Sequence, residues 1–288
     1  MHKIPLLLLV FYSSLWANEE ATVDLINGAT MEFVWIEAGS FTMGSPASEP
    51  GRRENEGPQH EVTISQGFYM GKYEVTQRQW ERVMGTTPWA LGLALYVESD
   101  PSHPAVYISW ADAREFAQQL NAAAGDSLYR LPTEAEWEFA ARAGTSMPWS
   151  FGEDESQLGE YAWYRDNAWG VDLKYAQPVG TKLANPWGLY DMHGNAAEWT
   201  QDWEMAYTAE AQVDPVNIKP IEIEDRADYH MVRDGAFSAF SASTRSARRR
   251  PLGYGHIEHG IGFRLVMMAP NPTTVTPMGW GQIKKDTR

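Results

Sequence analysis

The second half of the chain lacks the regular apolar spacing that long helices and strands require. Residues 145–230 are rich in Gly, Pro, Trp, Tyr, Asn and Asp, which favour turns and irregular backbone. The buried peptide groups of such segments still need hydrogen-bond partners, supplied by turns, side chains or bound ions. The sequence therefore predicts a compact domain with long irregular segments, in which residues 209–230, with six acidic residues, form an exposed loop.

The first half carries local signals for strands and helices. Residues 31–43 are predicted to form a strand pair and residues 61–73 a second hairpin, because β-forming residues there are punctuated by glycines. Three helices are predicted, each beginning at a Ser or Thr that is followed three residues later by Gln, Asp or Glu. These capping-box pairs are Thr76 with Gln79, Ser109 with Asp112, and Thr133 with Glu136.

Composition and charge exclude several classes of function. The chain has 288 residues, of which 43% are hydrophobic and 21% charged, and this composition is typical of globular proteins. Its formal net charge of −15 disfavours nucleic acids and anionic membranes as partners, because both are polyanions. No cysteine is present, which excludes disulfides, thiolate nucleophiles and thiolate metal ligands. A chain of this length can bury a sufficient core without disulfides.

The N-terminus resembles a cleavable export signal. Lys3 precedes an apolar run at residues 4–12, and small and polar residues then lead to Ala17 and an acidic stretch. The apolar run is too short to span a bilayer, so membrane insertion is not expected. We predict that residues 1–17 are a signal peptide and that the protein is periplasmic or secreted. The alternative is that this segment forms a buried N-terminal strand.

Six phrases, in order and spacing, resemble those of one protein family. They read FTMG at residues 41–44, FYMGKYEVT at 68–76, HPAV at 103–106, RLPTEAEWE at 130–138, NPWGLYDMHGNAAEW at 185–199 and GFR at 262–264. Together they resemble the formylglycine-generating enzyme, or sulfatase-modifying-factor, domain. The resemblance covers roughly residues 30–268 and leaves residues 269–288 as a C-terminal tail.

The resemblance implies an α+β fold related to the C-type lectin fold, with little regular secondary structure. The family includes the formylglycine-generating enzyme, the sulfur-transferring domain of ergothioneine synthesis and a periplasmic branch that matures the siderophore pyoverdine. The ergothioneine-type members add an iron-binding helical domain, for which this chain has no room. We therefore expect a cysteine-less branch that is similar to the pyoverdine-maturation proteins.

By resemblance, the segment 191–198 would hold a structural calcium ion. Calcium prefers about six to eight oxygen ligands, which mix carboxylates with backbone carbonyls. The implied ligands are Asp191, Gly194, Ala196 and Glu198, with an aspartate at the position where the family usually has asparagine. The alternative is that Asp191 makes an Asx-turn and Glu198 caps a turn without any metal.

The copper chemistry of the family cannot operate in this chain. The formylglycine-generating enzyme uses two cysteines, which follow a phrase similar to residues 232–236, to bind copper and oxidise a substrate cysteine. Here Phe240 stands at roughly the first position, and Thr244 or Arg245 at the second. None of these side chains supplies the soft thiolate that Cu(I) requires, so no thiolate-bound copper is expected.

The same region contains the residues that are predicted to line a substrate cleft. Arginines at 245 and 248–250 form a dense basic cluster, and guanidinium groups suit carboxylates and similar anions. The alternative for this cluster is ion pairing with the acidic surface. His256 and His259 flank Glu258, a weak metal-site pattern that also fits solvated or hydrogen-bonded histidines. The predicted cleft residues are Phe240, Arg245, Arg248, His256 and His259.

Two functions of different classes are consistent with these features. In the first, the chain is an exported maturation enzyme or accessory factor that acts on a peptide or peptide-derived small molecule. An oxidation by such a factor would need an external acceptor, a metal or O₂, and the sequence identifies no catalytic residue. In the second, the scaffold is a non-catalytic binding module for a peptide, glycan or partner protein, because a fold alone does not decide function.

Overall fold

The computed structural model of the protein describes residues 19–90, 95–218 and 228–268. The predicted signal peptide at residues 1–17 and the predicted tail at residues 269–288 lie outside these ranges. No helix within the three ranges has the length and apolar character needed to cross a membrane. The strands are short and the helices few, so the predicted α+β fold with little regular secondary structure is confirmed.

Short strands are spread along the described chain and are joined into three sheets. The strands are β1 (Glu20–Asp24), β2 (Thr30–Ile36), β3 (Gly39–Met43), β4 (His60–Ile64), β5 (Phe68–Gly71), β6 (Tyr129–Arg130), β7 (Ala197–Trp203), β8 (Gln212–Val213), β9 (Tyr229–Arg233), β10 (Arg249–Gly253), β11 (Ile261–Gly262) and β12 (Val266–Met267). The α-helices are α1 (Gln77–Met84), α2 (Trp110–Ala124), α3 (Glu134–Arg142) and α4 (Leu158–Tyr161). The sheet orders are β1-β2-β5-β12-β6, β10-β9-β7-β11 and β3-β4-β8.

Strands β2 to β5 form one bent ribbon rather than two hairpins. The inner strands β3 and β4 pair with each other, and the outer strands β2 and β5 pair with each other, all antiparallel. The four predicted strands exist, but the pairings predicted within residues 31–43 and 61–73 are wrong. The reason is that each short connection, at residues 37–38 and 65–67, carries the chain from one sheet into another instead of reversing it.

The loop predicted at residues 209–230 contains ordered structure at both ends. Strand β8 pairs in parallel with β4, with Gln212 opposite Val62, and β9 begins at Tyr229. Residues 219–227 of this segment lie outside the described residues. Part of the segment therefore belongs to the third sheet and is not a free loop.

The three predicted capping boxes are present. In α1, α2 and α3 the N-cap hydroxyl accepts a hydrogen bond from the backbone N–H three residues later, and the side chain of that residue accepts one from the N-cap N–H. Helix α3 differs from the other two because all nine of its residues are buried. Its carboxylates therefore need partners inside the protein.

Strand β7 brings the family phrase at 185–199 into the core. The Trp199 side chain is fully buried, and its indole N–H donates to the Ile108 carbonyl over 2.8 Å. Helices α1 and α2 pack beside it, where Trp80 stacks on Phe116 with ring centroids 5.6 Å apart. The neighbouring Glu198 is consequently buried as well, at 1% exposure.

Candidate functional site

Four buried charged side chains meet where the family phrases come together. Glu74 follows β5, Asp191 lies in the irregular segment before β7, Glu198 lies on β7, and Arg264 lies between β11 and β12. Arg264 forms a two-pronged ion pair with Glu198, with both N–O distances at 2.7 Å. The Trp137 indole of α3 also donates to Glu198, over 2.7 Å. We call Glu74, Asp191, Glu198 and Arg264 the carboxylate cluster.

The carboxylate cluster holds more negative than positive charge. Burial raises the pKa of Glu74 well above its usual range, with Asp191 and Glu198 adding to the effect. Burial also raises the pKa of Asp191, to about 6. Each of these two buried carboxyl groups affects the pKa of the other, and two carboxylates buried close together are stabilised by a proton or a cation.

One oxygen of each of these two carboxyl groups has no donor within the described parts of the chain. Glu74 accepts from the Ala196 N–H over 3.1 Å through Oε1, and Asp191 accepts from the Gly180 N–H over 2.7 Å through Oδ2. Glu74 Oε2 and Asp191 Oδ1 are buried and unpaired. Buried polar atoms without partners are costly, so these two oxygens are the part of the cluster that fits an additional cation.

Glu198, one of the four predicted calcium ligands, already has partners inside the protein. Both oxygens of Glu198 are already bonded, to Arg264 and Trp137. Within residues 19–90, 95–218 and 228–268, no group of three or more His, Asp or Glu side chains is arranged to hold a metal ion. Calcium binding by Asp191, Gly194, Ala196 and Glu198 therefore stays a prediction, and Glu198 is the weakest member of the set.

Arg245 is an internal ion-pair residue in this structure. Its guanidinium group is 2% exposed and contacts Glu49 over 2.5 Å and Glu56 over 2.8 Å. It also donates to the Gly51 carbonyl over 2.8 Å. A substrate anion would have to displace these partners. Arg245 therefore fits the alternative given for the basic cluster, ion pairing with carboxylates, except that these carboxylates are buried and not on the surface.

Arg249 is committed in the same way, whereas Arg248 is only partly paired. Arg249 forms a two-pronged pair with Glu134, at 2.6 and 2.7 Å. Arg248 is buried, lies 3.3 Å from Asp234, and has an Nε with no hydrogen-bond partner in the described residues. The predicted basic cluster therefore contains arginines with different roles.

His259 packs among aromatic rings. It is partly buried, with ring centroids 5.8 Å from Trp169, 5.5 Å from Phe237 and 5.5 Å from Tyr96. The predicted cleft residue Phe240 is 64% exposed, and the Arg165 guanidinium group lies 4.5 Å from its ring centroid. We call the group formed by Tyr96, Trp169, Phe237 and His259 the aromatic face.

His259 is the titratable group of the aromatic face. Burial lowers its pKa, against a smaller opposite effect of Glu258, so the imidazole is neutral at neutral pH. A neutral imidazole has one donor and one acceptor nitrogen, and neither makes a hydrogen bond to a residue that the structure describes. His256 lies instead in an exposed pair with Glu258, 3.1 Å away.

The segment that replaces the copper-binding cysteines is held by structural hydrogen bonds. The fully buried Thr244 accepts a bond from the Trp149 indole over 2.9 Å and donates to the Ser241 carbonyl over 2.8 Å. His193 contacts the Thr244 carbonyl over 3.0 Å, and burial lowers the pKa of this histidine to about 4. Thr244 and His193 are therefore structural residues at this site.

Sequence reasoning missed Glu74, Arg264, Trp169 and Tyr96 as site residues. Glu74 and Arg264 lie inside the family motifs at residues 68–76 and 262–264. These motifs marked both residues as part of the family pattern, but they did not indicate that the two side chains are buried together in one cluster. Trp169 and Tyr96 lie in irregular segments without a local pattern. Only the tertiary fold brings these two rings to His259.

Comparisons with known proteins identify relatives of this fold and site. The model of the sulfatase-modifying factor enzyme 1-like domain matches residues 21–269. The chain is 31% identical to the chaperone protein LppX of Paenibacillus barcinonensis over 187 residues, 49% of this chain and 64% of that protein. It is 28% identical to the formylglycine-generating enzyme of Bos taurus over 238 residues, 64% of this chain and 61% of that protein.

A solved structure extends the similarity to a whole protein. PvdO from Pseudomonas aeruginosa is 27% identical with a TM-score of 0.75, and the match covers 88% of this chain and 100% of that chain. By contrast, the chain spans less than two thirds of the length of the two curated relatives. Because the family model matches most of the chain and no cysteine is present, the protein belongs to the sulfatase-modifying factor family as a cysteine-less member.

Proposed function

We propose that this protein is an exported maturation factor that acts on a peptide or peptide-derived small molecule at its aromatic face. The observation that carries the proposal is His259, a neutral imidazole set among Tyr96, Trp169 and Phe237 with no hydrogen bond to the described residues. The similarity to PvdO over 88% of this chain and the resemblance to the pyoverdine-maturation branch of the family support a maturation role.

The aromatic face suits binding of a planar or aromatic group. Aromatic pairs contribute about 0.5–1.5 kcal/mol beyond burial of area, and the rings of Tyr96 and Trp169 are exposed and partly exposed. The unprotonated nitrogen of the neutral His259 imidazole can take a proton from a bound substrate. An oxidation would also need an electron acceptor such as O₂ from outside the chain.

The proposal is tested by binding first and conversion second. Short peptides that contain Tyr or Trp are screened by thermal shift, and each hit is incubated in air and followed by mass spectrometry. Trp169→Ala is expected to weaken binding, whereas His259→Gln is expected to keep binding and lose conversion. The matched control is His256→Gln, which removes an exposed imidazole outside the aromatic face and should leave both unchanged.

The same experiment separates the two classes of function. A ligand that binds at the aromatic face and keeps its mass would favour the non-catalytic binding module. Conversion by His259→Gln at the rate of the unaltered protein would remove His259 from the chemistry. Binding that neither Trp169→Ala nor Tyr96→Ala weakens would place the ligand elsewhere.

We also propose a structural calcium ion at the carboxylate cluster. Asp191 and Glu74 supply the two unpaired buried oxygens, and the resemblance adds backbone carbonyls of Gly194 and Ala196. Glu198 would keep its ion pair with Arg264. Bound there, calcium would neutralise charge and join the irregular segment before β7 to the end of β5.

A further inference from the structure

A second surface feature is lined by residues other than those of the aromatic face. The loop at residues 51–55, Arg248 and the start of β10 at residues 249–251 line an open recess of about 890 Å³. The charged residues that line it are Arg52, Arg53, Glu54, Arg248, Arg249 and Arg250. Five cationic groups and one carboxylate thus surround one recess in a protein whose net charge is −15.

The arginines of the recess are not all neutralised by the protein. Arg249 is saturated by Glu134 and by backbone carbonyls. Arg53 is exposed and Arg52 is partly buried, and neither makes an ion pair within the three described ranges. The Arg52 Nε donates to the Ser45 carbonyl over 3.2 Å. These two guanidinium groups therefore leave N–H donors available to a ligand.

Arg248 and Arg250 compete for the same partner. Both lie near Asp234, at 3.3 and 3.6 Å, and Arg250 also contacts Glu258 over 2.9 Å. The Nε atoms of both arginines are buried without a hydrogen-bond partner among the described residues. Burial lowers the pKa of Arg248, the Arg53 and Arg245 charges add to this effect, and the Asp234 and Glu56 carboxylates oppose it. Arg248 is thus a buried cation that shares its nearest carboxylate with Arg250 and keeps an unpaired Nε.

We propose that this recess binds a small ligand through an oxyanion group, a phosphate or a carboxylate, held by Arg52, Arg53 and Arg248. Planar guanidinium groups donate parallel N–H bonds to both kinds of oxyanion. A bound oxyanion supplies the negative charge that Arg248 lacks. The recess does not share a residue with the aromatic face, so this proposal does not depend on the proposed maturation function.

The test is titration calorimetry of the purified full chain with inorganic phosphate and, separately, with citrate, at constant ionic strength set with sodium chloride. We expect saturable binding of at least one of the two anions. Arg53→Ala and Arg52→Ala should each weaken that binding about tenfold, the loss expected for one charge-assisted contact. Both variants remove partly or fully exposed side chains without carboxylate partners, so the fold should survive.

The matched control is Arg78→Ala, which removes an exposed arginine of α1 at a distance in sequence from the recess. It changes the net charge by the same amount and should leave the affinity unchanged. Phosphate binding without citrate binding would indicate a phosphorylated ligand, and the reverse a polycarboxylate. The proposal is overturned if neither anion gives saturable heat, or if Arg78→Ala weakens binding as much as Arg53→Ala does.

Discussion

Individual buried ionisable residues determine how this protein responds to pH. His230 of β9 is 1% exposed and lies between two indoles, 3.6 Å from the Trp110 ring and 4.3 Å from the Trp203 ring. Burial lowers the pKa of His230 to about 4. The folded protein therefore resists protonation of this imidazole, whereas the unfolded chain accepts a proton near its ordinary pKa of about 6.5.

This difference predicts a loss of stability on the acid side. Between about pH 6.5 and pH 4 the unfolded state binds the proton and the folded state does not, so the free energy of unfolding falls as the pH falls. The contribution of His230 is on the order of 2–3 kcal/mol. His230→Phe keeps an aromatic ring between the two indoles and should reduce the acid-side loss by that amount, measured by urea denaturation at pH 7 and pH 4.5.

The control for this prediction is His256→Gln, which removes an exposed imidazole paired with Glu258. The free energy of unfolding of this variant should change with pH in the same way as that of the unaltered protein. An unchanged acid-side loss in His230→Phe would show that His230 is already protonated, or not buried, in solution.

The carboxylate cluster gives a second prediction for single residues. With calcium at a hundredfold excess over its dissociation constant, a site in the native state adds about 2.7 kcal/mol, which corresponds to about 5–10 °C in a domain of this size. A chelator should lower the melting temperature by this amount, and Asp191→Gly, which removes both side-chain oxygens, should abolish the response. Glycine suits the left-handed backbone of residue 191, where φ is 62°.

Asp202→Asn is the matched control, because Asp202 is another buried carboxylate outside the carboxylate cluster. It should keep the response to the chelator. Glu198→Ala is a poorer test, since it would leave Arg264 buried without its partner whether or not calcium binds. An identical melting curve with and without chelator, together with no calcium in the purified protein, would refute the site.

The pairing of Arg245 shows why residue roles were harder to predict than residue positions. The sequence marks Arg245 as part of a basic cluster, yet its partner Glu49 is 196 positions earlier. No local pattern indicates that the loop before β4 folds over this arginine. The direction of a side chain, toward a ligand or toward an internal carboxylate, depends on contacts that only the tertiary structure determines.

Helix α3 is the secondary-structure element that organises the buried charges. Its residues Glu134 and Glu138 are four positions apart and so lie on one face. Arg233 of β9 contacts both carboxylates, over 2.9 and 2.8 Å, and Arg142 of α3 contacts Glu138 over 2.7 Å. The helix is thereby joined to the second sheet by ion pairs instead of by apolar contacts alone.

Breaking this connection should destabilise the whole domain. Glu138→Gln removes the negative charge between Arg142 and Arg233, both of which are buried. Removal of one partner of a buried ion pair costs about 3–5 kcal/mol, and urea denaturation should show a loss of that size. Glu81→Gln, on the exposed surface of α1, should change the free energy of unfolding by no more than about 0.5 kcal/mol. Equal effects of the two substitutions would contradict a structural role for the buried network.

Among the elements, helices could be predicted from the sequence and strand pairings could not. A capping box involves residues three positions apart, so Thr76, Ser109 and Thr133 mark helix starts locally. The partner of a strand is chosen by the whole fold. The short connections at residues 37–38 and 65–67 look like hairpin turns, but each of them leads from one sheet to the next.

The whole molecule keeps much of its positive charge inside. The chain has 38 acidic and 23 basic residues, and several arginines are buried against carboxylates. The most deeply buried are Arg142, Arg233, Arg245, Arg249 and Arg264. Ten carboxylates are buried beside them, so core and surface both hold an excess of acidic residues, and a recess that collects Arg52, Arg53 and Arg248 differs from its surroundings.

The start of the folded domain leads to a prediction about export. Strand β1 pairs with β2 from Glu20 to Asp24, and the Trp35 N–H donates to the Glu19 carbonyl over 2.8 Å. The first sheet therefore begins at Glu20, three residues after Ala17 and earlier than the predicted domain start at residue 30. Cleavage after Ala17 would remove the predicted signal peptide and leave this sheet complete.

We therefore expect the full chain, expressed with a C-terminal tag in a Gram-negative host, to accumulate in the periplasm with a mass that lacks residues 1–17. Leu8→Arg places a charge in the apolar run and should keep the protein uncleaved in the cytoplasm. Thr22→Arg adds the same charge on the exposed side of β1 and should not affect export.

A chain that starts at residue 18 should melt like the exported protein, whereas one that starts at residue 25 lacks β1 and should melt at a lower temperature. Uncleaved cytoplasmic protein whose melting temperature falls when residues 1–17 are deleted would instead support a buried N-terminal strand.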